Sequence, residues 1–347
     1  MYDPSGHRKD FLSVPVYYET MTVLITGSGL IGSYVAQQLV DRGEMPVLFD
    51  ASPRIDCISD VLDINKIKLV RGSILDFPHL LEVVKNEGAD RIIHTAAMLN
   101  IPRRVESPFL GVKVNIEGTL NILEIARIMD LEKVVFSSSA VVYFGSEKMK
   151  GKTCEEDFPL MMLSGRPKST YSTTKIAGEF LGLNYADDYG LDFVAVRYAA
   201  AFGPWKCPHA PQILLIRELV EKPLQGKIAT IEADHTWSGR QEFVYIKDAA
   251  SGTILACDVK NPETRVYNIG MGKTVEFNEL VSVVKKLIPG AKINVMGMSE
   301  GIFGLPYTSE GKPLDLTKSR EELGYRPRYD METSIADYIK WAKLHMN

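Results

Sequence analysis

Tyr171 and Lys175 stand four residues apart, a spacing that puts both side chains on one face if the segment is helical. An ammonium beside a phenol favours the phenolate, so Tyr171 is expected to lose its proton more readily than a free tyrosine. Such a group can take a proton from an alcohol near neutral pH. In a chain with 15 Tyr, about one Tyr-x-x-x-Lys arises by chance, so the pair gains its weight from its surroundings.

Those surroundings offer a place for a dinucleotide. The β-rich run Thr22–Thr26 leads into Gly27-Ser-Gly29-Leu-Ile-Gly32, and a helical apolar pattern follows through Leu30, Val35, Ala36, Leu39 and Val40. Gly27 permits the tight turn, Gly29 lets a pyrophosphate approach the backbone, and Gly32 allows close helix–strand packing. The helix start adds free N–H groups and a positive dipole for the phosphates. The next strand, Pro46 to Asp50, ends in a carboxylate. It can accept hydrogen bonds from the adenosine ribose hydroxyls and would repel a 2′-phosphate, so NAD is expected over NADP. Ser52 and Arg54 are the nearby residues that would suit NADP. Beyond a fourth strand, Ala96-Ala97-Met98 are residues past which a dinucleotide could lie. A fifth strand, Lys133 to Ser137, ends in Ser138 and Ser139, at the sheet edge where ligands of open α/β sheets bind.

These residues need elements to hold them. Strands alternate with helices near 77–86, 108–129 and 171–188, which implies a parallel sheet covered on both faces. Asn115 falls inside the second of these helices, where it could contact backbone or water or be incidental. The expected partition is an N-terminal appendage at 1–20, an NAD-binding part at 21–199 and 246–270, and a smaller substrate lobe at 200–245 and 271–347. Residues of the cleft between lobes (Met98, Arg103, Arg104, Ser138, Trp205, His209 and Arg240) are candidates to meet a substrate. A hydrophobic content of 45% and charged content of 24% fit a soluble globular protein, and a net charge of −4 argues against a nucleic-acid partner. No apolar run is long enough to span a bilayer. The four cysteines, Cys57, Cys154, Cys207 and Cys257, have no metal-ligand spacing and read as free thiols of a reducing cytoplasm, and no metal is expected.

Taken together, Val23 to Gly32, His94-Thr-Ala-Ala97, Asn115, Phe136 to Tyr143, Tyr171-x-x-x-Lys175, Arg197-Tyr198 and Gly203-Pro204 resemble the extended short-chain dehydrogenase/reductase family, the NAD-dependent epimerases and dehydratases. Asp315 to Pro327 resembles its C-terminal signature, and Trp341 falls where the family often has a tryptophan. The resemblance runs from about Met21 to the C-terminus. It implies a Rossmann-type doubly wound α/β sheet with a discontinuous substrate lobe. It implies Ser139, Tyr171 and Lys175 as the catalytic group, with Tyr171 moving the hydroxyl proton, Ser139 polarising the same oxygen and Lys175 also bonding the nicotinamide ribose. The NAD set it implies is Gly27, Gly29, Leu30, Ile31, Gly32, Asp50, Ser73, Ile74, Ala96, Ala97, Asn115, Ser137, Tyr171 and Lys175. Its substrate set is Met98, Ser138, Ser139, Ala200 and Arg240, and it implies a homodimer through the helices near 108–129 and 171–188.

Departures from the family pattern shape the substrate expectation. The glycine turn is one residue short, and Ser73 replaces an Asp that reaches the adenine. Ala200 stands where nucleotide-sugar enzymes carry Asn, and Gln241 where they carry a phosphate-clamping Arg, with Arg240 one place off. The loop at 140–170 is long enough to serve as a lid. The expectation is therefore hydride transfer at a secondary alcohol or ketone of a small polyhydroxy or sugar-acid-like molecule. A nucleotide-sugar epimerase or dehydratase that recycles its NAD is the alternative.

Overall fold

The computed structural model describes residues 22–99, 107–143, 153–158, 160, 170–207, 210–237, 239–297 and 312–345. The appendage at 1–20, Arg103, Arg104, His209 and most of the loop at 140–170 lie outside the described residues.

The chain runs β1 (Thr22–Thr26), α1 (Leu30–Asp41), β2 (Val47–Asp50), α2 (Ile55–Ile58), β3 (Lys68–Arg71), α3 (Phe77–Glu87) and β4 (Ala89–His94). Next come α4 (Pro108–Val112), a π turn at Lys113–Glu117, α5 (Gly118–Ile128), β5 (Lys133–Ser139), α6 (Thr170–Tyr189), β6 (Phe193–Tyr198) and β7 (Ala200–Phe202). The remainder is α7 (Pro211–Leu224), β8 (Ala229–Ile231), β9 (Arg240–Tyr245), α8 (Ile246–Asp258), β10 (Val266–Ile269), β11 (Thr274–Glu276), α9 (Phe277–Leu287), β12 (Ile293–Val295), α10 (Thr317–Glu321) and α11 (Met331–His345).

Seven strands form one sheet in the order β10-β6-β5-β4-β1-β2-β3, all parallel. Strand residues alternate faces, and here both faces are apolar. Val23, Ile25, Ile93 and Val135 join the core beneath α1 and α8. Leu24, Ile92, Val134 and Phe193 join the core beneath α3, α5 and α6. The order reverses between β1 and β4, and such a switch point opens a crevice at the strand ends.

Helix α6 lies close to the sheet because glycines face it. A Cβ on Gly178 would sit 2.4 Å from the Phe136 ring, and one on Gly182 2.1 Å from Phe193. This close seat brings the first turns of α6, with Tyr171 and Lys175, up to the end of β5. A second sheet, β11-β9-β7, and a parallel pair, β12-β8, build the part of the molecule beyond the strand ends.

The cysteine expectation needs correction. Cys57 and Cys207 are paired as a disulfide, with Cα atoms 6.1 Å apart, while Cys154 and Cys257 are in no disulfide. The partners are separated by 150 residues, so only the fold reveals their meeting. Among the described residues no helix is long and apolar enough to cross a membrane.

Candidate active site

A cavity of about 980 Å³ opens at the switch point and runs from Asp50 past Tyr171 to Gln241. At its first end Gly27 adopts φ +89°, and a Cβ there would lie 2.7 Å from the Ala96 nitrogen. Gly29 stands before α1 with no atom within 4 Å of its Cβ position, so its backbone is open to a ligand. No side chain caps α1, which leaves its first N–H groups for an anion. Asp50 is fixed at the end of β2 by the backbone N–H groups of Ser28 and Ser52, each at 2.7 Å. Ile74 is held by Asn121, whose amide donates to the Ile74 carbonyl at 2.9 Å, and it fills the space above Gly118. This glycine cradle, open helix end and fixed carboxylate fit NAD.

The middle of the cavity carries Ser137, Ser138, Ser139, Tyr171, Lys175 and Tyr198. Lys175 donates to the Ser137 carbonyl at 2.6 Å, and its ammonium lies 4.8 Å from the Phe136 ring centre and 5.6 Å from that of Tyr171. Burial pushes the Lys175 ammonium down to about 7, against the pull of Glu179. Burial also pushes the Tyr171 phenol up, with Tyr198 adding to the effect. Desolvation thus outweighs a lysine turned towards a carbonyl, and the expected easing of the phenol's proton loss is not seen. The Ser139 hydroxyl accepts the Val141 N–H at 3.3 Å and faces the same cavity.

Beneath this layer lies a buried network. Ser138 donates to Glu179, which Arg197 grips through Nε at 3.0 Å and Nη2 at 2.7 Å. The Arg197 Nη1 donates to the Tyr143 hydroxyl and to the Glu156 carbonyl, both at 2.9 Å. Tyr143 in turn donates to Asn268 at 2.8 Å. The pair links α6 to β6, and both charges are hydrogen-bonded, as buried charges must be. The Ser138 hydroxyl, a candidate for substrate contact, is thus turned to Glu179 although the residue lines the cavity.

Leu30, Ile31, Gly32, Ser73, Ala96, Ala97, Met98, Ala200 and Trp205 also line the cavity. Among the described candidates, two do not. Asn115 is buried in the π turn, where its carbonyl accepts the Met98 N–H at 2.8 Å and its amide donates to Thr174 at 3.0 Å. It braces the loop after β4 against α6 and does not line the cavity. Arg240 faces away: it donates to the Thr274 carbonyl at 2.7 Å and pairs with Glu276 at 2.9 Å and Glu279 at 3.0 Å. Neighbouring strand residues point to opposite sides, so Gln241 takes the cavity face instead. Sequence reasoning missed Gln212, Ile213, Ala210 and Tyr198 as lining residues. The family position of the phosphate-clamping Arg had already singled out Gln241, and strand alternation about Arg240 agrees with it.

Residues 23–270 match the sequence profile of the NAD dependent epimerase/dehydratase family. A putative UDP-glucose 4-epimerase of Methanocaldococcus jannaschii is 29% identical over 324 residues, covering 92% of this chain and 98% of that protein. UDP-glucuronate 4-epimerase 5 of Arabidopsis thaliana is 27% identical, covering 92% of this chain and 75% of its own. Among solved structures, the Thermus thermophilus UDP-glucose 4-epimerase in complex with NAD superposes with a TM-score of 0.77 at 27% identity, over 93% of this chain and 99% of that one. The Bacillus cereus UDP-glucuronic acid 4-epimerase, solved with UDP-glucuronic acid and NAD, gives 0.75 at 25% identity, over 93% and 99%.

Proposed function

Because the chain belongs to the NAD-dependent epimerase/dehydratase family, we propose that it inverts a hydroxyl-bearing carbon of a nucleoside-diphosphate sugar within one turnover. It is an NAD-dependent enzyme of the epimerase/dehydratase type. One observation carries the substrate class. Past Tyr171 the cavity continues along Ala199, Ala200, Ala201, Trp205, Ala210 and Ile213, with the amides of Gln212 and Gln241 among them. An apolar wall with two amides suits a flat, hydrogen-bonding nucleobase. A bare polyol would need a denser polar lining, since each buried hydroxyl left unpaired costs about 1–3 kcal/mol. The small polyhydroxy substrate expected from the sequence is thus the second reading, favoured by Ala200 and by the cation-free position of Gln241.

Held at the glycine turn by Gly27, Gly29 and Asp50, NAD would supply reversible hydride chemistry. Tyr171 takes the proton of the substrate hydroxyl and later returns it. Ser139 donates a hydrogen bond to the same oxygen. Lys175, one helical turn from Tyr171, lowers the cost of the phenolate when it carries its charge. The cavity walls hold the sugar against the cofactor and keep water from the exchange.

The test gives NAD-loaded enzyme a panel of UDP-sugars, free polyols and sugar acids. Conversion of a UDP-sugar to its epimer without accumulating NADH is expected. NADH accumulating with a free polyol or sugar acid, and no reaction with any nucleotide sugar, would overturn the reading.

The working form in this reading is a cytoplasmic homodimer. Phe109 (77% exposed), Leu120, Ile128, Phe180 (55%) and Tyr189 leave α4, α5 and α6 with apolar surface that a second copy could cover. Sedimentation at micromolar protein that finds only monomer rejects it.

A further inference from the structure

The face of α6 that carries Tyr171 and Lys175 carries a third group. Glu179 stands one helical turn beyond Lys175, so the three side chains follow one another along the helix. Glu179 is buried beneath the cavity and touches none of it. Its Oε1 takes the Ser138 hydroxyl and the Arg197 Nε, the latter at 3.0 Å, and its Oε2 takes the Arg197 Nη2 at 2.7 Å. Ser138 and Arg197 are in register on the adjoining strands β5 and β6, so one carboxylate gathers both strands under α6. Holding two charges away from water carries a desolvation penalty that apolar packing would avoid.

We propose that Glu179 is a positioning residue of the reaction: through Ser138 it fixes the end of β5 next to Tyr171, and its negative charge acts on the Lys175 ammonium. This role rests on the reading of Tyr171, Lys175 and Ser139 as the proton-transfer group. Ser138 lies between two residues that meet the site. The Ser137 carbonyl receives the Lys175 ammonium at 2.6 Å, and the Ser139 hydroxyl faces the cavity. Strand neighbours point to opposite sides, so tying the Ser138 hydroxyl to α6 sets the direction of both. Misplacing a reacting group by about 1 Å can cost up to ~100-fold in rate.

The groups around Lys175 divide by charge. Tyr171 on α6, Tyr198 on β6 and Tyr143 after β5 are phenols that burial pushes up, so all three are neutral at neutral pH. Burial, and then the Lys175 charge, pushes His94 of β4 down to about 3, so it too is neutral. The π turn brings the uncharged amide of Asn115. Arg197 is positive and Glu179 negative. Among these groups Glu179 alone favours a charged Lys175, against the burial that pushes the ammonium down to about 7. That charge is what offsets the phenolate when Tyr171 gives up its proton.

The test uses full-length, NAD-loaded protein isotope-labelled at the lysine Cε, and the Lys175 signal is the one absent from Lys175→Arg. In Glu179→Gln the titration midpoint of that signal should fall by about one pH unit, the scale on which a unit charge one helical turn away acts on an ammonium. Lys175 loses its charge as pH rises through the midpoint, so the alkaline fall of kcat should move to lower pH with it. Glu179→Asp keeps the charge and should leave the midpoint in place while kcat drops. Ser138→Ala should lower kcat about ten-fold with KM and the midpoint unchanged. Where Glu179→Gln does not fold, Glu179→Gln combined with Arg197→Gln, which strands no buried charge, takes its place with the same expected direction. A midpoint unmoved by loss of the carboxylate, or a kcat for Ser138→Ala within about two-fold of wild type, would each overturn the role of Glu179. The midpoint is read without substrate, so its failure to move leaves the proposed epimerisation standing, while a shifted midpoint in an enzyme that epimerises nothing faults the epimerase reading alone.

Discussion

The two ends of the cavity are assembled in different ways. The cofactor end is built from short runs at the ends of consecutive strands: Gly27 to Gly32 after β1, Asp50 at the end of β2, Ser73 and Ile74 after β3, and Ala96 and Ala97 after β4. Each run is local, and the sheet order alone brings the runs together. The substrate end takes Ala200 from β7, Trp205 and Gln212 from the passage into α7, and Gln241 from β9. Those segments meet only through a second sheet, so their side chains face the cavity for reasons no single stretch contains. A site can therefore keep its chemistry at one end while its partner changes at the other.

Substitutions at the chemical centre should produce the largest effect. Tyr171→Phe removes the proton carrier while keeping the ring that fills the site. Turnover should fall by at least ~100-fold, the usual scale for a general acid–base group, with NAD content unchanged. Retained turnover would remove Tyr171 from its role.

The cofactor end comes next. Asp50→Ala deletes the carboxylate that the Ser28 and Ser52 N–H groups now hold. Charge-assisted hydrogen bonds are worth about 1.5–3 kcal/mol, so NAD affinity should drop about ten- to a hundred-fold while NADP binding changes less. Calorimetry with both dinucleotides measures the gap. A wild-type protein that prefers NADP would break the comparison at its better-understood end.

This contrast also explains what could be read from the sequence. The parallel sheet, its strands and the helix bearing Tyr171 and Lys175 were legible because β-rich runs, glycines and apolar periodicity are local signals. The π turn that buries Asn115 was not, since it depends on packing against Met98 and Thr174. Nor was the Cys57–Cys207 link, which spans 150 residues. The pairing of Ser138 with Glu179 was hidden because a serine at a strand end looks the same whether it faces a ligand or a buried carboxylate.

At the substrate end the expected effects are smaller. Gln241→Ala removes one neutral amide from a wall that keeps Gln212. A neutral hydrogen bond contributes about 0.5–1.5 kcal/mol, so KM for a nucleotide sugar should rise about two- to ten-fold with kcat little changed. A fall in kcat with constant KM would mean that Gln241 acts in the transition state rather than in binding.

Arg240→Ala should have the smallest effect of all, and it separates the structure most sharply from the sequence reading. An arginine in the neighbourhood of a phosphate clamp invites the view that it holds a diphosphate. In the fold its side chain is 39% exposed and its charge is satisfied by Glu276 and Glu279, themselves about half exposed. Surface ion pairs contribute about 0–1 kcal/mol, so the loss in stability should stay within that range. The register of β9 against β11, with Arg240 opposite Glu276, keeps the guanidinium on the far side of the strand from Gln241. KM for the nucleotide sugar should therefore stay within about two-fold of wild type, the loss of a surface contact being far short of the ten- to hundred-fold cost of losing a phosphate partner. Steady-state kinetics decides the matter. A ten-fold rise in KM, with the folded state intact by thermal melting, would require β9 to turn its other face to the cavity when substrate binds.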